Sequence, residues 1–304
     1  MKYSKPPLSL DQQVALLQAR GLAIPDQQEA VHHLKNIGYY RLSGYAFPFQ
    51  VKASLPAHVF KPGTIFNDIL NIYRFDCELR IMAMEAIEKI EVAFRTCFSN
   101  SMSGRHGAFW YLNKAIFHDD FSYYDFIGKV QEATGANRMG AATAKGTDEF
   151  LKHYFSTYSD PVLPPSWMIA EVLSFSTWSS IFPFLKNRSD KKAIADSFEL
   201  QWETLASWIH SMAYVRNLCA HHSRLWNREF TITPSFANHP QFGVTNNTRF
   251  FAQASVLSFF MKKISPKTQW AQRIANLVKS HPCIDPQAMG FPRWVQSSMW
   301  YYEI

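Results

Sequence analysis

Apolar residues recur along most of the chain at three- and four-residue steps, the period of amphipathic helices. Strand-like alternation and Asn-Gly hairpin signals are nearly absent. The pattern predicts an all-α protein. Leu10–Gly21 reads as a first helix ending at a glycine, and Asp26–Ile37 as a second, with Asp26 as its cap and Gly38 as its stop. Tyr39-Tyr40-Arg41-Leu42-Ser43-Gly44-Tyr45 reads as a loop. The clearest helix runs from about Ile65 to Arg95, where Ile65, Ile69, Ile72, Leu79, Ala83, Ala86, Ile90 and Phe94 fall on one face. Asp76 and Arg80 project onto that same face. Buried charges are normally paired, so an internal Asp76–Arg80 ion pair is the simpler expectation, and an Arg80 turned toward RNA the alternative.

From Ser101 to Gly146 the pattern is less regular, and Gly135–Gly146, which carries Arg138 and Lys145 and no acidic residue, reads as a mobile surface loop. Helical periodicity resumes at Asp148–Tyr158, Trp167–Leu173, Ser189–Phe198, Gln201–His222, Thr248–Ile264 and Lys267–Lys279. The tail from His281, with Pro282, Pro286 and Pro292, reads as irregular. The expected organisation is an N-terminal helical segment over residues 1–60 and a larger helical domain over 61–304, with an insertion around 101–146. The boundary would fall near Pro48–Gly63.

Composition narrows the class. A chain of 304 residues with 47% hydrophobic and 15% aromatic content has ample material for a packed core. Its 31 Lys and Arg against 24 Asp and Glu leave +7, a surplus that favours polyanionic partners such as RNA. The four cysteines, Cys77, Cys97, Cys219 and Cys283, are widely spaced and form no CxxC, so a reducing cytoplasm is the expected compartment. No apolar run follows the N-terminal lysines, so no signal peptide is expected. The most apolar stretch, Trp167–Leu185, is broken by Glu171, by Ser and Thr, and by Pro183. It reads as buried core, not as a membrane span.

Candidate chemistry concentrates in Gln201–His222. On a helical wheel Trp202, Leu205, Ile209, Met212 and Ala213 share one stripe, and Arg216 projects into its middle. A guanidinium cannot be neutralised, so Arg216 needs a carboxylate, a cleft or interface, or an anion. His221 lies about 140° around from Arg216 with Asn217 between them, one continuous polar arc; His222 falls outside it. By themselves these residues are also compatible with helix-end electrostatics, since a histidine near a helix C-terminus interacts favourably with the dipole. The acidic series Glu85, Glu88 and Glu91 reads as a solvated face, or as the source of one carboxylate for Arg216.

The string Arg216-Asn217-Leu218-Cys219-Ala220-His221-His222-Ser223-Arg224-Leu225-Trp226-Asn227 resembles the signature of HEPN-domain proteins, and its longer form the bacterial abortive-infection family called AbiD/AbiF. The likeness extends to Ile37-Gly38-Tyr39-Tyr40-Arg41-Leu42-Ser43-Gly44-Tyr45, to Phe75-Asp76 through Leu79-Arg80, to Ala86-Ile87-Glu88-Lys89-Ile90-Glu91 and Arg95, to Pro164-Pro165-Ser166-Trp167, and to Met289-Gly290-Phe291-Pro292. The resemblance implies a HEPN-type helical bundle and defence against phage by RNA cleavage, with Arg216, Asn217 and His221 as catalytic residues. It also implies a homodimer in which two motifs face one another, and regulation by a small non-coding RNA.

RNA carries its own nucleophile, the 2′-hydroxyl, so a histidine to move protons and an arginine to hold the phosphate suffice without a metal. Tyr39, Tyr40, Arg41, His222 and Arg224 are further candidates for contacting RNA, the tyrosines by stacking on unpaired bases or else as core. His32-His33 and His118-Asp119-Asp120 lack metal-ligand spacing, and neither a P-loop nor a GxGxxG is present, so neither metal nor cofactor is expected. A catalytically silent RNA-binding protein and an interaction module are the alternatives to a nuclease toxin.

Overall fold

The computed structural model describes residues 2, 6–54, 57–136, 148–237 and 242–292. Arg138 and Lys145 of the expected loop lie outside the described residues. Among the described residues there are twelve α-helices, short 3-10 turns and three isolated β-bridges, but no strand. The protein is all-α. No helix among them is long and apolar enough to cross a membrane. The chain divides into two compact units, Met1–Leu79 with Asn276–Asp285, and Arg80–Ala275 with Pro286–Ile304.

The first unit begins with α1 (Leu10–Ala19), α2 (Gln27–Asn36) and α3 (Tyr39–Ala46). Ser9 and Gln12 form a reciprocal capping box on α1. The Asp26 side chain accepts from the Glu29 backbone N–H at 2.9 Å and so starts α2 where the sequence predicts. Gly38, at φ 94°, separates α2 from α3 in a conformation that a side chain would strain. Tyr39–Tyr45, expected as a loop, is helical, because Leu42, Tyr45 and Ala46 at three- and four-residue steps bury one face. The buried Tyr45 hydroxyl donates to Asp76 Oδ2 at 2.7 Å, so the charge that the wheel places inside has a polar partner.

Helix α4 spans Phe66–His106, and its predicted face is buried from Ile69 to Phe94. It outruns the expected end at Arg95. Phe98 and Met102 continue the apolar face, and Arg105 and His106 close on Asp190 at 2.6 and 2.8 Å.

The second unit adds α5 (Tyr123–Thr134), α6 (Glu149–Thr157), α7 (Ser166–Val172), α8 (Phe175–Ile181), α9 (Arg188–Asp196), α10 (Trp202–Ala220), α11 (Phe250–Ile264) and the first part of α12 (Trp270–Lys279), which from Asn276 on belongs to the first unit. The apolar stretch at Trp167–Leu185 is mostly core, as expected, although Trp167 itself is exposed, and it is cut into α7 and α8. Leu173 is extended, and the Ser174 hydroxyl caps the Thr177 N–H at 3.2 Å. Residues Phe250 to Met261 of α11 are buried on every side, as in a central helix. Helix α10 packs against α8, α9 and α11. Phe94, Phe98, Trp110, Phe175, Trp178 and Phe182 make the aromatic centre of this unit. Among the described residues after α12, up to Pro292, there is one 3-10 turn, Gln287–Met289.

Candidate active site

The apolar stripe of α10 positions the site. Leu205, Ile209, Met212 and Ala213 are all buried, so the helix is clamped within a single chain. The stripe faces the chain's own helices α8, α9 and α11, which pack on α10. What stays open is the end of the helix, where Ala220, His221 and His222 are exposed.

That end is a Schellman turn. The Ser223 N–H returns to Leu218 O at 2.8 Å and the His222 N–H to Cys219 O at 3.0 Å. The turn requires a left-handed residue, usually glycine, and here it is His222 at φ 54°. A non-glycine residue there costs roughly 1 kcal/mol. The strain stands within the motif, where the turn directs the two adjacent histidines differently.

Arg216 enters the structure as its wheel position demands, with a carboxylate partner. Glu91 of α4 places Oε2 at 3.8 Å from Arg216 Nε. This is an ion pair beyond hydrogen-bond reach. The Nε is enclosed and has no hydrogen-bond partner, and Glu91 is the one ionic or hydrogen-bonding partner of Arg216 among the described residues. The side chain nevertheless keeps 35% of its surface exposed.

Glu91 is itself buried, and its other oxygen is taken by Arg95 one turn along α4. Burial pushes the Arg95 guanidinium below its usual range. The charges of Glu91 and Glu171 oppose that shift, and Arg216 adds to it. Two guanidiniums thus share one carboxylate.

Asn217 donates from Nδ2 to Ser176 Oγ of α8 at 3.1 Å, which ties the motif to its neighbouring helix. The exposed His221 ring makes no hydrogen bond or ion pair among the described residues, while its backbone N–H closes on Asn217 O at 3.0 Å. Arg216, Asn217 and His221 therefore lie together at one helix end. Downstream, Arg224 lies over the Trp226 ring at 5.8 Å to the centroid, and its carbonyl accepts from Arg228 Nε at 2.6 Å.

Tyr39, Tyr40 and Arg41 belong to the first unit. Tyr40 is 91% exposed and Arg41 is exposed, so neither is core; Tyr39 is half-buried, and its hydroxyl accepts from Arg20 Nη1 at 2.6 Å. Of the acidic series, Glu85 pairs with Arg273 at 2.8 Å, Glu88 is exposed, and only Glu91 is buried at the site. Ser176 carries no signal in the sequence, and Glu171 appears there only as a break in an apolar stretch. Among the described residues no three His, Cys, Asp or Glu side chains gather as a metal site needs.

No curated protein and no solved structure matches the chain. A family model described as Abi-like protein matches residues 32–227, a span that includes Gly38, the Glu91–Arg95 turn and the whole of α10 with its terminal motif. That match covers well over half of the chain, and the protein belongs to this Abi-like, abortive-infection family.

Proposed function

We propose that this protein is a metal-independent endoribonuclease toxin acting in abortive-infection defence. Family membership supports the defence role. One observation supports the chemistry. Arg216, lying on the stripe that builds the core, is kept partly exposed with a carboxylate beside it but no hydrogen bond to it. Guanidinium donors that the fold leaves unused suit a phosphodiester, whose oxygens they can meet in pairs.

In this reading the 2′-hydroxyl of the RNA attacks the adjacent phosphorus. One histidine takes the 2′ proton, the bond from phosphorus to the 5′ oxygen breaks, and a second acid returns a proton to that oxygen. The products are a 2′,3′-cyclic phosphate and a 5′-hydroxyl. Arg216 stabilises charge on the non-bridging oxygens. Asn217, tied to Ser176, fixes the helix end. In-line transfer needs proton carriers on opposite sides, and each motif supplies one arc with His221 in it. A homodimer pairing two exposed helix ends would provide both. A small non-coding RNA occupying the same phosphate-binding groups would restrain the toxin.

A second reading is favoured by the His221 ring, which has no orienting hydrogen bond among the described residues. Catalytic bases are usually oriented by a third group. In that reading the protein binds RNA without cutting it. Induced expression in a bacterial host separates the two. The nuclease reading expects growth arrest with RNA fragmentation, both lost in His221→Ala at equal protein levels. Growth arrest that persists in His221→Ala with intact RNA contradicts it and supports the silent binder.

A further inference from the structure

We infer that Arg95 is a positioning residue for Arg216: by holding one oxygen of Glu91, it keeps that carboxylate from closing on Arg216 and leaves the Arg216 donors free for phosphate. The inference rests on the reading of Arg216 as a phosphate ligand. It is carried by the unequal division of Glu91. One carboxylate oxygen bonds Arg95 directly, while the other stops 3.8 Å from Arg216 Nε.

A carboxylate and a guanidinium left alone in a poorly hydrated site form a two-pronged pair, with two parallel N–H to oxygen bonds. Glu91 is well placed to do this, since it is buried and next to Arg216. A pair of that kind would consume the donors that a phosphate requires. Arg95 prevents it in two ways. It occupies Oε1, and its own positive charge repels Arg216 from the carboxylate they share. The Nε atoms of both arginines are enclosed without hydrogen-bond partners, so neither guanidinium gains its full complement from the fold. Such unsatisfied buried donors are rare unless something holds them so. Glu171 adds a second negative charge near Arg95, which helps to keep Arg95 in place although the group is largely buried.

An ordinary structural role for Arg95 makes a different prediction. If Arg95 only stabilises α4, its loss should lower the melting temperature and leave the RNA affinity of the folded protein unchanged. The test is equilibrium binding of fluorescently labelled single-stranded RNA to the full chain, with the melting temperature of each variant recorded. Arg216→Ala defines the loss of the phosphate ligand. Arg95→Ala is expected to weaken binding roughly tenfold, because Glu91 then captures Arg216. The double variant Arg95→Ala, Glu91→Gln is expected to recover most of that affinity, since a neutral amide does not bind a guanidinium as a carboxylate does. Arg95→Gln serves the same purpose if the alanine variant does not fold. Arg95→Lys, which keeps a charge on Oε1, should bind more tightly than Arg95→Ala.

Unchanged affinity in Arg95→Ala, or a double variant as weak as Arg95→Ala, overturns the inference while leaving Arg216 as a ligand. Unchanged affinity in Arg216→Ala, or no RNA binding by the unsubstituted protein, overturns the phosphate-ligand reading and the inference with it.

Discussion

Glu91 and Arg216 face each other at 3.8 Å, close enough for attraction and too far for a hydrogen bond. The partial pairing makes Arg216→Lys an informative substitution. Lysine keeps the charge but loses the planar fork that meets two phosphate oxygens. Arg216→Lys should therefore keep weak, salt-sensitive RNA binding and lose at least about 100-fold in cleavage rate, as expected when a transition-state donor is removed. Single-turnover cleavage beside equilibrium binding checks the split. Equal, small losses in both would show that only charge matters at this position.

His222 holds the left-handed position of the Schellman turn at φ 54°. Two substitutions isolate the backbone contribution, because both remove the imidazole. His222→Gly should be more stable than His222→Ala by about 1 kcal/mol, since only glycine takes that conformation without strain. Urea denaturation of the two variants measures the difference, and equal stabilities would mean that the turn relaxes when the side chain is removed.

Asp190 is a buried carboxylate with one oxygen 2.6 Å from Arg105 Nε and the other 2.8 Å from His106 Nε2. It joins the end of α4 to the start of α9. Asp190→Ala leaves Arg105 and His106, both partly exposed, without their shared acceptor, and should cost about 1–2 kcal/mol of unfolding free energy. Asp190→Asn, which still accepts one bond, should cost less. Chemical denaturation ranks the two, and a near-neutral Asp190→Ala would show that water replaces the carboxylate.

The Tyr111 hydroxyl is buried and donates to Pro164 O, and burial pushes its ionisation well above the ordinary tyrosine range; the neighbouring Tyr154 and Tyr123 add to the shift. In the unfolded chain this phenol ionises near its usual value of about 10. Because the folded value is raised, its contribution to stability is fully present below about pH 10 and is lost as pH rises beyond it, by about 1.4 kcal/mol per pH unit for this one group. Tyr111→Phe should remove that one-proton share of the alkaline slope while lowering stability at neutral pH. An unchanged slope above pH 10 would show that other tyrosines control it.

Much of this arrangement can be read from the residues themselves. The stripe of Leu205, Ile209, Met212 and Ala213 places α10 and puts Arg216 on its buried side. Asp26 and Gly38 mark helix boundaries through cap chemistry and positive φ. Tyr39–Ala46 is hidden because eight residues with Ser43 and Gly44 among them carry too few apolar positions to show a period. The demand of Arg216 for a carboxylate is legible, and so is the series Glu85, Glu88 and Glu91. The choice among them is not, because it depends on the register of α4 against α10, which local periodicity does not encode. Ser176 and Glu171 reach the site only through the packing of α8 and α7, for the same reason.

Metal-free RNA cleavage is tested by incubating purified protein with end-labelled RNA in EDTA and analysing the fragment ends, with Arg216→Ala and His221→Ala alongside. Cleavage by the unsubstituted protein alone, leaving 2′,3′-cyclic phosphate and 5′-hydroxyl ends, is the expected result. Fragments bearing 5′-phosphate ends, or cleavage that survives in His221→Ala, would contradict it.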